Sequence, residues 1–572
     1  MKEFYKKYKY LFLFFIIFFI FYLPKKHFKT IDTINTRLLP ISLLIEKDFD
    51  LDEFYGNPEN YLYDNKDNPF AIYFLPDSFY KVQYENGKTY YHPWIITIKN
   101  NHIYTTYPYL FPIMNLPFYL IFSFFYDLNQ IGLKDIIYPF SPLNQLDNFI
   151  AAFWTALSAV LLFYYIYQYI NQKIAYIILL IYVLASPSLS LLSHNTWQHT
   201  LIVNMVILLL ILLKKDSKYA AFAIGMILGI LPHIRPTTIF FYPLILLNFQ
   251  KKYIKYYIFG FIMLNLPLDI INLMIYDHIV GPYYHLFKIT KSLESKIDFF
   301  DTLLGLLISP SRGLYLFLPY LFLLFLTAFK WKSFNTQKKE ILVLSLIVII
   351  YIFYYSTYSI WHGGFNYGPR FLTDLLPIFM ILLAKITWIY YQNRIYQTIL
   401  FILSLIAFFI HIQPLLNDEF LKWETCYFKN KNHLQKIWDW EYPVFSLNFY
   451  NAQLFWKNEI SIKPWFLCIN PSYKISIKNE HFLFNKELLP KEIVYLLFAK
   501  LLYIPKGTYL IKIDEKHPYI ELKLFYNSNL SYTKKEAGVW ELQTNKTKEN
   551  TLFFYSQEPI DFELKELFII KN

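Results

Sequence analysis

Apolar runs separated by short polar links fill the chain from the N-terminus to about Ile412, after which apolar and polar positions begin to alternate. Runs of about 17 to 25 residues, with some shorter ones, have the length of helices that cross a bilayer. They predict spans over residues 10–24, 148–170, 174–192, 198–213, 219–233, 237–248, 254–275, 313–330, 340–357, 371–391 and 397–413, eleven crossings in all. Beyond them, GTYLIKID, YIELKLFY, NTLFFYS and IDFELKELFII alternate, carry β-branched and aromatic residues, and are divided by Pro, Gly and Asn. The pattern predicts an all-α polytopic membrane domain over 1–415, a Trp-rich linker over 416–450 around Trp438 to Tyr442, and a C-terminal β-sandwich over 451–572.

Charge sets the expected orientation. Lys2, Lys6, Lys7 and Lys9 precede the first span and hold the N-terminus in the cytoplasm. Eleven crossings then place the loops holding Lys173, Lys214 to Lys218, Lys251 to Lys255, Lys330 to Lys339 and Arg394 inside as well. The same count puts the C-terminal domain outside the cytoplasm. One run, YLFPIMNLPFYLIFSFFYD from Tyr109, must not cross if this agreement is to hold. It is expected as a re-entrant or surface helix broken by Pro112 and Pro117, within one long external loop over 25–147. The first span has the basic start and apolar middle of a secretory signal but lacks a small-residue cleavage site, so it reads as uncleaved.

Composition agrees with this class: 56% of the 572 residues are hydrophobic and 21% aromatic. The net charge of +12 does not point to nucleic acid, because the Lys and Arg residues fall in short clusters between apolar segments. Two cysteines, Cys426 and Cys468, make neither a disulfide framework nor a tetrahedral metal site, and leave one disulfide or two thiols open.

The polar residues that are not merely basic gather at boundaries assigned to the outer face. Asp32 either caps an amphipathic helix whose face holds Ile34, Leu38, Ile41 and Ile45, or serves as a catalytic carboxylate. Asp48, Asp50, Asp52 and Glu53 follow in KDFDLDEF as a solvated turn or a site for a divalent cation. His102 and Tyr107 lie in HIYTTYP; His194, Gln198 and His199 surround Trp197, which suits an interfacial belt. Arg235, Arg312 and Arg370 each stand beside a proline or within two residues of one, at an outer boundary, where guanidinium either snorkels to headgroups or grips phosphate. In WHGGFNYGPRFLTD, which also holds Asn366 and Tyr367, Asp374 lies four residues after Arg370, the spacing of an intrahelical ion pair.

The order of these elements resembles the GT-C superfamily of polytopic glycosyltransferases, in its protein mannosyltransferase and aminoarabinose transferase branch. The resemblance covers roughly residues 10 to 415: one span, an external loop opening with Asp32, a TYP motif from Thr106 before a non-spanning helix, then many spans. SPSLSLLSHNTWQHT, GMILGILPHIRPTTIFF, and WHGGFNYGPRFLTDLLP with TRLLPISLL, which holds Arg37, look like a bacterial subgroup. The chain departs from relatives in having Thr33 where an acidic pair is common, and TYPY where their loop reads HPP. The resemblance implies an integral protein of a bacterial cell or inner membrane that takes sugar from a polyprenyl phosphate and passes it to a glycan, lipid or protein hydroxyl. It implies Asp32 as base of one inverting step and Arg235, Arg312 or Arg370 on the leaving phosphate. Arg37, Asp48, Asp50, Asp52, Glu53, His102, Tyr107, His194, Gln198, His199, Asn366 and Tyr367 are expected around donor and acceptor. A divalent cation is the one cofactor left open. A flippase, a polymerase or ligase of lipid-linked saccharides, and a sensor with an external β-domain are the rival classes.

Overall fold

Short polar side chains at the ends of the apolar runs start the helices. Ser141 accepts from the Asn144 amide with Pro142 at the first helical position. Asn171 accepts from Lys173 and Ile174, Ser217 from Tyr219 and Ala220, and Asp298 from Phe300 and Asp301. Each cap satisfies amides that the helix itself leaves unbonded. This computed structural model describes residues 2–24, 31–57, 59, 79–83, 89–132, 135, 141–291, 298–358, 360–364, 366–416, 437–440 and 443–446, and ten strands between 460 and 571.

The helices used below are α1 (Lys2–Tyr22), α2 (Ile34–Ile45), α3 (Leu110–Ser123), α4 (Pro142–Tyr169), α5 (Gln172–Leu184), α6 (Gln198–Leu212), α7 (Lys218–Ile234), α8 (Ile254–Tyr276), α9 (Pro282–Lys291), α10 (Phe299–Ile308), α11 (Lys338–Ser356), α12 (Leu376–Ile389) and α13 (Arg394–Leu416). Five helical segments are long and apolar enough to cross a membrane: Pro142–Tyr169, Lys251–Tyr276, Lys338–Ser356, Arg370–Ile389 and Arg394–Leu416. That is compatible with a membrane protein. The longest, α4, has 28 residues and so a length of about 42 Å.

Other expected spans are shorter, for reasons visible in their prolines. The run expected over 174–192 leaves the α-helix at Leu184 and turns through Pro187 into one π-helical turn, Ser188–Leu192. Pro236 opens a twelve-residue 3-10 segment, Pro236–Leu247, and Pro319 another, Pro319–Phe325. Helix α2 also differs from expectation. Instead of one apolar face it is buried all round, from Ile34 to Ser42, because other elements of the same unit cover its polar side too. Helix α3 runs unbroken through Pro112 and Pro117; Pro112 lies in the first turn, where the missing N–H has no intrahelical partner to lose.

Helices α7 and α8 pack closely against each other. A Cβ on Gly225 would lie 2.2 Å from the Tyr257 carbonyl oxygen, one on Gly229 2.6 Å from that of Phe261, and one on Gly260 2.1 Å from that of Phe222. Small residues let the two backbones touch, as in membrane helix pairs. Polar bonds cross the same seam: His233 Nε2 is 3.3 Å from Asn265 Oδ1 and 3.5 Å from Asp269 Oδ1. The opposite face of α8, from Ile258 to Met274, is exposed and apolar. Gly260→Val is therefore expected to force the pair apart and cost about 1–3 kcal/mol; an unchanged thermal midpoint in detergent would remove this account of the seam.

Two compact units divide the chain: Met1–Glu59, His92–Asp418 and Ile437–Ser446 form the first, the remainder the second. In the first, strands β1 (Ile96–Lys99) and β2 (His102–Thr105) pair as a hairpin whose loop residues, Asn100 and Asn101, both have positive φ. Asparagine tolerates that conformation, and the turn matches the twist of the strands. Part of the expected linker belongs to this helical unit: Ile437 and Val444 are fully buried, and Phe445 meets the Phe317 ring edge-on at 6.2 Å. Cys426, and with it any disulfide to Cys468, lies outside the described residues.

In the second unit the alternating segments are strands, among them Tyr495–Ile504, Gly507–Ile513, Ile520–Phe525, Val539–Thr544, Lys548–Ser556 and Glu566–Lys571. They join two five-stranded sheets whose registered neighbours are antiparallel. Tyr495–Ile504 and Lys548–Ser556 pair along their length, with a register shift at Phe554/Tyr555.

Candidate functional site

The residues from Ile31 to Thr33 form one 3-10 turn before α2, and Thr33, not Asp32, stands at the helix start. Asp32 therefore does not cap the helix. Its Oδ2 lies 2.5 Å from Arg370 Nη1, and its Oδ1 accepts from the Trp94 indole at 3.3 Å. Tyr107 also hydrogen-bonds this carboxylate; burial first and the Asp32 charge second push its phenol well above the ordinary value. Trp94 and Tyr107 are set by the hairpin, since Thr106 donates through Oγ1 to the Trp94 carbonyl at 2.6 Å and Thr105 Oγ1 accepts from the Tyr107 amide at 3.0 Å.

Arg370 opens a 3-10 segment, Arg370–Leu375, and this decides its partner. At three residues per turn, positions four apart point about 120° from each other, whereas on an α-helix they share a face. The expected Arg370–Asp374 pair is thus absent. Arg370 turns to Asp32, donates from Nη1 to the Gly363 carbonyl at 3.0 Å, and lies 3.9 Å over the Trp197 ring. Trp197 is 2% exposed, so it is no interfacial belt residue.

Asp374 collects a second set of donors. His199 Nδ1 donates to Oδ1 at 2.6 Å, Tyr351 donates to Oδ2 at 2.5 Å, and Arg235 Nη1 donates to Oδ2 at 3.2 Å. Asp374 is fully buried. Arg235 sits in an extended link between α7 and the following 3-10 segment, over Phe371 at 4.9 Å and Tyr355 at 5.5 Å. Phe371 also touches Arg370, at 5.8 Å, so one ring separates the two guanidinium groups. Tyr283 of α9 joins both halves: its hydroxyl donates to Gln198, its ring meets that of Tyr107, and burial, against the nearby Arg235 and Arg370 charges, pushes it up to about 12. The arrangement brings two carboxylates, Asp32 and Asp374, and two guanidinium groups, Arg370 and Arg235, into one polar cluster. Sequence reading missed Trp94, Tyr283, Tyr351 and Phe371, and read Trp197 and Asp374 in other roles.

Other expected residues lie elsewhere. Arg312 donates to the carbonyls of His362 at 3.0 Å, Ser311 at 2.9 Å and Gly364 at 3.1 Å, so its guanidinium holds that loop. The Asn366 amide closes the same loop onto His362 and Gly364, and the Tyr367 hydroxyl donates to the Ile410 carbonyl at 2.6 Å. Arg37 is buried against the Thr33 carbonyl and Asn144, with Asp147 near. His194 is buried in the turn before α6.

The acids after α2 form a separate group. His102 Nδ1 lies 2.7 Å from Asp52 and 3.3 Å from Asp50, Asp52 Oδ1 accepts from the Ile103 amide, and Asp48 accepts from Ser42. Ligand atoms of Asp50, Asp52 and His102 lie within 4.8 Å of one another, a donor set that suits a divalent first-row metal. Glu53 is exposed as a residue, yet its carboxyl is withdrawn from water; that burial, with Asp48 and Asp50 beside it, pushes it up to about 7. A carboxyl whose folded value is raised stabilises below its ordinary value and loses that contribution as pH rises through 7. Glu53→Gln is therefore expected to flatten the fall in thermal midpoint between about pH 4.5 and 7; an identical slope in both proteins would count against it.

No known protein-family model matches the chain, and no curated protein matches it in sequence.

Proposed function

We propose that the protein is an integral-membrane, inverting sugar transferase that takes a sugar from a polyprenyl phosphate and passes it to an acceptor hydroxyl at the outer face. The observation that carries this reading is the meeting of Asp32 with Arg370, beside Arg235, in one buried cluster. A hydroxyl nucleophile needs a base, and a departing phosphate needs positive charge. In the proposed step the acceptor oxygen bonds to C1 as its proton passes to Asp32, the bond from C1 to the phosphate oxygen breaks with inversion, and the phosphate leaves against Arg370 and Arg235. The Tyr107 and Trp94 donors hold the Asp32 carboxylate in one orientation. The eleven-crossing topology, with the two C-terminal sheets facing each other as a sandwich outside the cytoplasm, belongs to this reading, as does the GT-C resemblance.

The test is release of polyprenyl phosphate from a panel of polyprenyl-phosphate sugars by the purified protein in liposomes. Release that depends on an acceptor is the expected result. Movement of the intact lipid-linked sugar between leaflets without release would replace the transferase with a transporter.

A further inference from the structure

The stacked pair of Trp197 and Arg370 carries two donors that the fold leaves unmatched. Trp197 is 2% exposed and Arg370 9%, and neither the indole Nε1 nor the guanidinium Nε has an acceptor among the described residues. Buried donors are ordinarily paired, so two such groups in direct contact, beside a carboxylate, call for a reason. The guanidinium explains where the need lies. Its Nη1 is committed to Asp32 and to the Gly363 carbonyl, which leaves the Nε side of the fork. That side is the one with which arginine grips oxyanions through two parallel bonds.

We propose that the Trp197 indole N–H and the Arg370 Nε–H together receive the oxygens of a phosphoryl group. This deepens the proposed transferase reading and rests on it for the identity of the phosphoryl carrier. Arg370 then bridges two anions, with Asp32 on one side of the fork and the phosphoryl group on the other. Trp197 does two things at once: its face supports the guanidinium, and its edge binds the ligand. A neutral lipid alcohol of the same chain length offers these donors no charged acceptor and gains nothing from them.

The experiment measures binding of undecaprenyl phosphate, undecaprenol and inorganic phosphate to the full-length protein in nanodiscs, for wild type, Trp197→Phe and Arg370→Lys. Phenylalanine keeps one aromatic ring under Arg370 and removes the N–H together with the pyrrole ring; lysine keeps the charge and removes the fork. Each variant is expected to weaken undecaprenyl phosphate by roughly tenfold or more, the loss of one bond to a charged group, while undecaprenol binding is unchanged. In wild type, the indole N–H resonance missing from Trp197→Phe is expected to shift on adding the lipid phosphate. This second readout is taken on the wild-type protein and needs the variant only to assign the resonance. Equal affinity of wild type and Trp197→Phe, with the resonance unmoved, overturns the proposal, as does failure of wild type to bind either phosphate. The same loss seen with inorganic phosphate alone supports the anion site and removes the lipid carrier. Binding of the lipid phosphate as proposed, without sugar release from any donor, supports the site and removes the transferase reading.

Discussion

Asp32→Asn is expected to lower sugar transfer by roughly a thousandfold, within the range of about 10²–10⁴ for losing a positioned base. An amide of the same shape can still meet Trp94 and Tyr107, so substrate affinity should change far less than turnover. The substitution also leaves Arg370 without its counter-charge where the side chain is only 10% exposed. An uncompensated buried charge costs about 3–5 kcal/mol, so a lower thermal midpoint should accompany the loss of activity. Arg370→Met in the same chain separates the effects: it should recover part of the stability and none of the transfer. Transfer at the wild-type rate by Asp32→Asn, at equal protein in the membrane, would move the base elsewhere, first to the acids around His102.

The second large effect is structural. Asp374→Ala removes the acceptor shared by His199, Tyr351 and Arg235, and leaves the buried Arg235 guanidinium without its carboxylate. The expected loss is about 3–5 kcal/mol. Arg235 keeps its aromatic neighbours Phe371 and Tyr355, which do not replace a carboxylate. Thermal unfolding in detergent reads this directly, and a midpoint within a degree of wild type would mean that the cluster is solvated. Asp374→Asn should be nearly as damaging, since its NH₂ faces groups that are themselves donors.

Much of the architecture follows from patterns that the chain states locally. Alternation marked the strands Gly507–Ile513 and Ile520–Phe525, and length with apolarity marked Arg394–Leu416, because both signals are carried by neighbouring residues. Elements shaped by their surroundings were less legible. Helix α2 has a helical stripe, yet burial on all sides follows from packing that periodicity does not encode. The site was legible in its members more than in its pairings. Asp32, Arg235 and Arg370 stood out as charges at the ends of apolar runs, but the 3-10 winding of Arg370–Leu375 redirected Arg370 from Asp374 to a carboxylate far away in sequence. Trp197 was misread for a related reason: an indole beside a polar loop has one sequence signature whether it meets headgroups or lies beneath a guanidinium.

The Asp32–Arg370 contact also sets a clock on biosynthesis. At about 5–20 residues per second, Asp32 leaves the ribosome on the order of half a minute before Arg370 does. Throughout that interval the first loop exists without the charge that balances its acid, and the cluster has neither Arg370 nor Asp374. A product ending before Arg370 lacks the partner of Asp32 and the acceptor shared by His199, Tyr351 and Arg235, so this hydrogen-bond network closes only once that late segment has been made.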